Sequence, residues 1–194
     1  MNWIENLLII IGVSLDLFAT MECQGALVSK VNKKQLSLIC LIVSAVQLLA
    51  LFAGYFLSDF LYEKNLLSNE AILGEIVASF IFVGLGIRLI AKAIKNEHIN
   101  EKLEQRQDYK RFLKMAFITA IYTILVGVAF GILGTNFIMV FVMIGAITAI
   151  FIVTGMYTGY RFGFEQKTKA YVAGAILLWA AGVDVIVRCA MNAI

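Results

Sequence analysis

The residue in this chain best placed to do chemistry is an aspartate in the middle of an apolar run. Asp16 sits in Gly12-Val13-Ser14-Leu15-Asp16-Leu17-Phe18-Ala19-Thr20, and an ionised side chain at the centre of a bilayer costs about 2.5–3.5 kcal/mol even on the most lenient insertion scale. A charge retained there is a candidate for holding or passing a cation. On a helix, Gly12, Asp16, Thr20 and Cys23, spaced four, four and three residues apart, share one face. A small, polar stripe of this kind should face protein or water, so Thr20 and Cys23 join Asp16 as candidate pathway residues. Gln47 and Thr148 lie near the middle of two further apolar runs. With Asp16 they would offer several oxygens at one depth, the ligand type that hard divalent cations such as Mg²⁺ and Mn²⁺ favour. The alternative is plain interhelical hydrogen bonding, with Gln47 as the partner of Asp16.

The other intramembrane charges suggest structural roles. Arg88 in Gly86-Ile87-Arg88 and Asp184 in Gly182-Val183-Asp184 carry opposite signs at matching places in the third and sixth apolar runs, so they are expected to pair and lock two halves of the molecule together. Asp184 is also a candidate pathway residue. Glu22 lies six residues beyond Asp16, about 9 Å along a helix axis, and is expected to reach the headgroups, with an inner vestibule as the alternative. Arg188 is expected to snorkel. No catalytic set accompanies these groups. The single histidine, His98, stands in a polar segment, the three cysteines have no metal-type spacing, and HExxH, GxSxG and phosphate-loop motifs are missing. Neither an enzyme nor a resident cofactor is expected.

The elements that must position these residues follow from composition. Of 194 residues, 61% are hydrophobic and 15% charged, and the mean hydropathy is +0.90; soluble domains carry about 25% charge. The charges fall in short blocks between six apolar stretches, at 4–29, 36–61, 72–95, 112–133, 136–160 and 170–192. Each is long enough to cross about 30 Å of hydrocarbon as a helix. The fold class is therefore an all-α integral membrane protein with six transmembrane helices. The first stretch lacks a basic flank and has Glu5 instead, so it reads as a permanent helix rather than a signal peptide. With the N-terminus outside, the inner loops carry Lys30, Lys33 and Lys34, a basic block from Lys92 to Lys114, and Arg161, Lys167 and Lys169, whereas the outer loops carry Lys64 alone. The positive-inside rule then places both termini outside. The expected partners are the lipid bilayer and a small cation, with no nucleic acid.

The longest polar segment, 96–111, divides the spans into triplets, 1–95 and 112–194, and its mixed charges fit a short surface helix. An odd number of spans per half would make a duplicated unit an inverted repeat. Ser44-Ala45-Val46-Gln47 with Gly54 parallels Gly145-Ala146-Ile147-Thr148 with Gly155, matching Gln47 to Thr148 and Arg88 to Asp184. A tight turn at Gly134-Thr135-Asn136 joins the fourth and fifth spans. In a chain without proline, close helix approach falls to glycine, notably Gly155 and Gly159 at GxxxG spacing and Gly182 after Ala180 and Ala181.

With these residues in hand, the chain resembles the MntP-type manganese efflux pumps of the LysE transporter superfamily. The likeness rests on Ser14-Leu15-Asp16-Leu17-Phe18-Ala19 followed by Gly25, on Gly84-Leu85-Gly86-Ile87-Arg88, on Val126-Gly127-Val128, and on Ile144-Gly145, Thr148, Gly155-Met156 and Gly159. It covers nearly the whole length. The resemblance implies a cytoplasmic-membrane exporter of Mn²⁺ in a prokaryote, built of two inverted three-helix repeats, with acidic residues in helices 1, 2 and 4 handling the ion. Asp16 matches the first acid. Gln47 stands where the second would be, and Tyr122, in Ala120-Ile121-Tyr122-Thr123, stands where the third would be. Three functions stay open at this point: export of a divalent cation through Asp16, Gln47 and Thr148; transport of another small solute, with hydrogen bonds from Tyr122 and Gln47; or a membrane scaffold that has lost the site.

Overall fold

The computed structural model describes residues 3–27, 33–63, 71–94, 109–163 and 166–192. They form six helices, α1 (Trp3–Leu27), α2 (Lys33–Glu63), α3 (Ala71–Ile94), α4 (Tyr109–Ile132), α5 (Phe137–Phe162) and α6 (Lys167–Asn192). All six are long and apolar enough to cross a membrane, and they fall on the six stretches read from hydropathy. Helix α4 starts at Tyr109, inside the expected 96–111 linker; the rest of that linker, with its surface helix, lies outside the described residues. Helix α2 has 31 residues, about 46 Å at 1.5 Å per residue, so it must tilt or project beyond the hydrocarbon. Large apolar side chains such as Leu41, Leu49, Phe56 and Phe80 stand exposed on the outside of the bundle. In a bilayer these are the lipid-facing surface, and a helix suits it because its backbone bonds are made within the segment.

Glycine sets how closely the helices approach. A Cβ added at Gly155 of α5 would lie 2.7 Å from the Phe18 carbonyl oxygen of α1, and one at Gly127 of α4 would lie 2.7 Å from the Leu51 oxygen of α2. No side chain fits at either crossing. The main contacts pair α1 with α5, α2 with α4, α3 with α6 and α1 with α6. Helices α3 and α6 run antiparallel, since Gly86 meets Trp179 and Ala175 while Gly182 meets Val83 and Ser79. Exchanging the first triplet for the second maps the α1–α5 contact onto α4–α2. The match extends to residues: Gly155 lies against Phe18 and Met21, and Gly54 lies against Ile124 and Gly127. Counted from these contacts, Tyr122 stands two residues before Ile124 as Asp16 stands two before Phe18.

The expected turn between α4 and α5 is present. Gly134 takes φ 62°, a left-handed conformation open to glycine at no steric cost. The Asn136 side chain then caps α5 by accepting from the Ile138 and Met139 amides at 3.1 and 3.4 Å. The core between the triplets is apolar, with Ile9 and Ile10 of α1, Phe82 of α3, Phe130 of α4 and Leu178 of α6 all buried.

Candidate functional site

Asp16 lies near the middle of α1 and is 4% exposed. Its carboxylate is held by two cations from α3: Arg88 Nη1 is 3.2 Å from Oδ2, and Lys92 Nζ is 2.5 Å from Oδ1. Arg88 and Lys92 are four residues apart, which places both on one face of the helix. The Arg88 guanidinium also lies over the Tyr122 ring of α4, 3.0 Å from its centroid, while Lys92 Nζ is 5.9 Å from Tyr122 and 5.6 Å from Tyr171 of α6. One carboxylate thus faces two positive charges, walled by two aromatic faces that favour cations.

The expected Arg88–Asp184 pair does not form. Asp184 accepts from Arg188 one turn on, at 3.1 Å, and Arg188 reaches across to Glu5 of α1 instead of snorkelling. The cause is the antiparallel crossing of α3 and α6. Arg88 is level with Gly174 and Ala175 of α6, because Gly86 meets Ala175 and Leu89 meets Gly174; Asp184 lies nine residues further along, about 13 Å away at the helical rise. Residues at matched positions off the centre of antiparallel helices fall at opposite ends of the bundle. Asp184 therefore belongs to a separate cluster and does not join Asp16.

A neutral cluster stands beside the charged one. Gln47 Nε2 donates to Thr119 Oγ1 at 2.8 Å, and Thr123 Oγ1 donates to Gln47 Oε1, so the amide is bonded at both ends to α4 rather than to Asp16. Thr148 of α5 is buried. A cavity of about 20 Å³ opens between these groups, lined by Ser14, Asp16, Gln47, Thr119, Tyr122, Thr123 and Thr148 among apolar neighbours. That is room for one water or one dehydrated ion. The structure so brings Asp16, Gln47, Thr148 and Tyr122 to one small cavity. Thr20 donates to the Asp16 carbonyl at 2.7 Å and also bonds Tyr171; Cys23 is buried further along the same face, which packs on α6 through Gly12 and Gly174. No group of three or more His, Cys, Asp or Glu side chains capable of holding a metal occurs among the described residues.

Sequence reasoning missed Lys92, counted with the loop charges although it stands one turn from Arg88, and it missed Thr119 and Thr123. It also misplaced Glu22. That side chain is fully buried instead of reaching headgroups, because Gly155 and Gly159 let α5 close over the α1 backbone around it. One carboxylate oxygen accepts from the Gln166 amide at 2.9 Å, just before α6, and the other has no hydrogen-bond partner among the described residues.

Comparison with known proteins finds relatives over most of the chain. The family model described as "Putative manganese efflux pump" (Mntp) matches residues 30–186. Among curated relatives that bear the name putative manganese efflux pump MntP, the protein of Acetivibrio thermocellus is 27% identical, over 96% of this chain and 91% of its own length. That of Mannheimia succiniciproducens is 24% identical, over 91% and 92%, and MntP 2 of Clostridium botulinum strain Langeland is 28% identical, over 97% and 96%. No solved structure matches. Six membrane-length helices and a family match over most of the chain lead to one statement of identity: this multi-pass membrane protein belongs to the Mntp manganese efflux pump family.

Proposed function

We propose that the protein exports a divalent cation of the manganese type from the cytoplasm, with Asp16 as the carboxylate that receives it. The observation that carries this reading is a buried carboxylate at mid-helix beside an ion-sized cavity where the Gln47 amide and the hydroxyls of Ser14, Tyr122 and Thr148 stand among apolar side chains. Kinship with proteins named as manganese efflux pumps supports the choice of cargo. Gln47, Thr148 and Tyr122 supply neutral oxygens, and Thr20 and Cys23 continue the pathway toward the end of the bundle that carries the basic block. We take that end as cytoplasmic, which sets both termini outside. The exchange relation between the triplets supports two inverted three-helix repeats moving against each other around the central cavity.

A manganese-sensitive strain lacking its own exporters tests the reading. Expression of this chain should restore growth in excess Mn²⁺ and lower cell manganese, and Asp16→Asn should do neither. Normal expression without rescue would refute it. The two cations on Asp16 favour a second reading, in which Arg88 and Lys92 offer countercharge to a small solute with an anionic group. Under that reading Arg88→Gln abolishes transport of that solute, and Mn²⁺ has no effect on the protein.

A further inference from the structure

Asp16 meets two positive charges, and both come from one short stretch of α3. We propose that Arg88 and Lys92 are a tethered stand-in for the transported ion: they hold Asp16 while the site is empty, and a divalent cation displaces both. This rests on the reading of Asp16 as the transport carboxylate. Charge compensates the carboxylate in both states and leaves the loaded site the more positive, because Arg88 stays on Tyr122 beside it. The carboxylate faces two positive charges from its own side chains in one state and two from the metal in the other. In a low-dielectric interior, where an uncompensated charge is most costly, neither state leaves the carboxylate bare.

The two cations have different places to go. The Arg88 guanidinium already lies on the Tyr122 ring, and a cation–π contact keeps it there once its bond to Asp16 ends. Lys92 stands two residues from the end of α3, on a flexible four-carbon stem, with 30% of its side chain exposed. It can swing to the membrane boundary as the metal enters. Its return to Asp16 helps to expel the metal. Lys92 is thus a competitor of the substrate for one carboxylate, and its loss should tighten metal binding while slowing turnover. A purely structural lysine would give the reverse sign for binding, because its loss would leave a looser site.

The probe is Mn²⁺ itself, titrated into purified full-length protein while the electron paramagnetic resonance signal of the free ion is followed. Lys92→Gln should bind Mn²⁺ about tenfold more tightly than the wild type, as loss of one competing unit charge at close range implies; Lys92→Arg should restore weak binding, and Asp16→Asn should remove the site. In vesicles, Lys92→Gln should lower KM and kcat together. If Asp16-dependent binding is seen in the wild type but is unchanged or weaker in Lys92→Gln, the tethered-cation proposal fails and the Asp16 reading stands. If neither protein shows Asp16-dependent binding, both fail. Should Lys92→Gln not fold, Arg88→Gln carries the same test with the same expected sign.

Discussion

The α1–α5 and α2–α4 pairs each close on a glycine and carry different polar groups beside it. In each, a glycine of one helix lies against the backbone of its partner, Gly155 on Phe18 and Gly54 on Ile124. Two residues before these contacts, on α1 and α4, stand Asp16 and Tyr122. Around Asp16 the groups are charged, with Arg88 and Lys92 both bound to it. On the α2–α4 side the pair's own polar groups are neutral: Gln47 is tied between Thr119 and Thr123, and the one charge close to Tyr122 is Arg88, brought from α3. The difference separates two demands. Backbone approach at glycine holds the bundle together whatever the neighbouring side chains are, which leaves the polar positions free to differ between the halves.

Removing the charge should break the comparison most strongly. Asp16→Asn leaves two cations without their carboxylate, and loss of one partner of a buried ion pair costs about 3–5 kcal/mol. The expected loss is near the low end, because Arg88 and Lys92 keep 24% and 30% of their side chains exposed. Thermal unfolding in detergent would measure it. Next come the crossings: Gly155→Leu and Gly54→Leu should each cost about 1–3 kcal/mol by forcing the helices apart. Similar losses are expected from the two. A loss at one and none at the other would end the equivalence of the pairs.

On the neutral side the effects should be smaller. Gln47→Leu should cost about 1 kcal/mol, since Thr119 and Thr123 can still donate to the Met115 and Thr119 carbonyls of their own helix. Gln47→Glu sharpens the comparison differently: it puts a second carboxylate on the cavity and should tighten Mn²⁺ binding, read by the same titration. The smallest expected effect is Asn136→Ala, about 1 kcal/mol or less for an exposed N-cap, with no change in metal binding.

Helix number, length and the mid-helix place of Asp16 were legible because apolar stretches and an acid within one are one-dimensional features. The cavity was partly legible as well, since Gln47, Thr148 and Tyr122 all sit near mid-helix. Partnership was not. Sequence gives a residue its depth and helical face, but which helix lies opposite depends on crossings made by glycines far along the chain. Arg88 therefore looked like the mate of Asp184 and is the mate of Asp16. Glu22 shows the same limit: α5 buries it through Gly155 and Gly159, and nothing near residue 22 in the chain signals that. Lys92 was hidden by its place at the edge of a basic block, where a charge usually faces water.

The central claim is that a divalent cation crosses the membrane by way of Asp16. Purified protein in vesicles loaded with a dye quenched by Mn²⁺ tests it most directly. Wild-type protein should quench the dye when Mn²⁺ is added outside, and Asp16→Asn, inserted in equal amount and folded, should leave it as in protein-free vesicles. Equal quenching by both proteins, or none above protein-free vesicles from the wild type, would contradict the account.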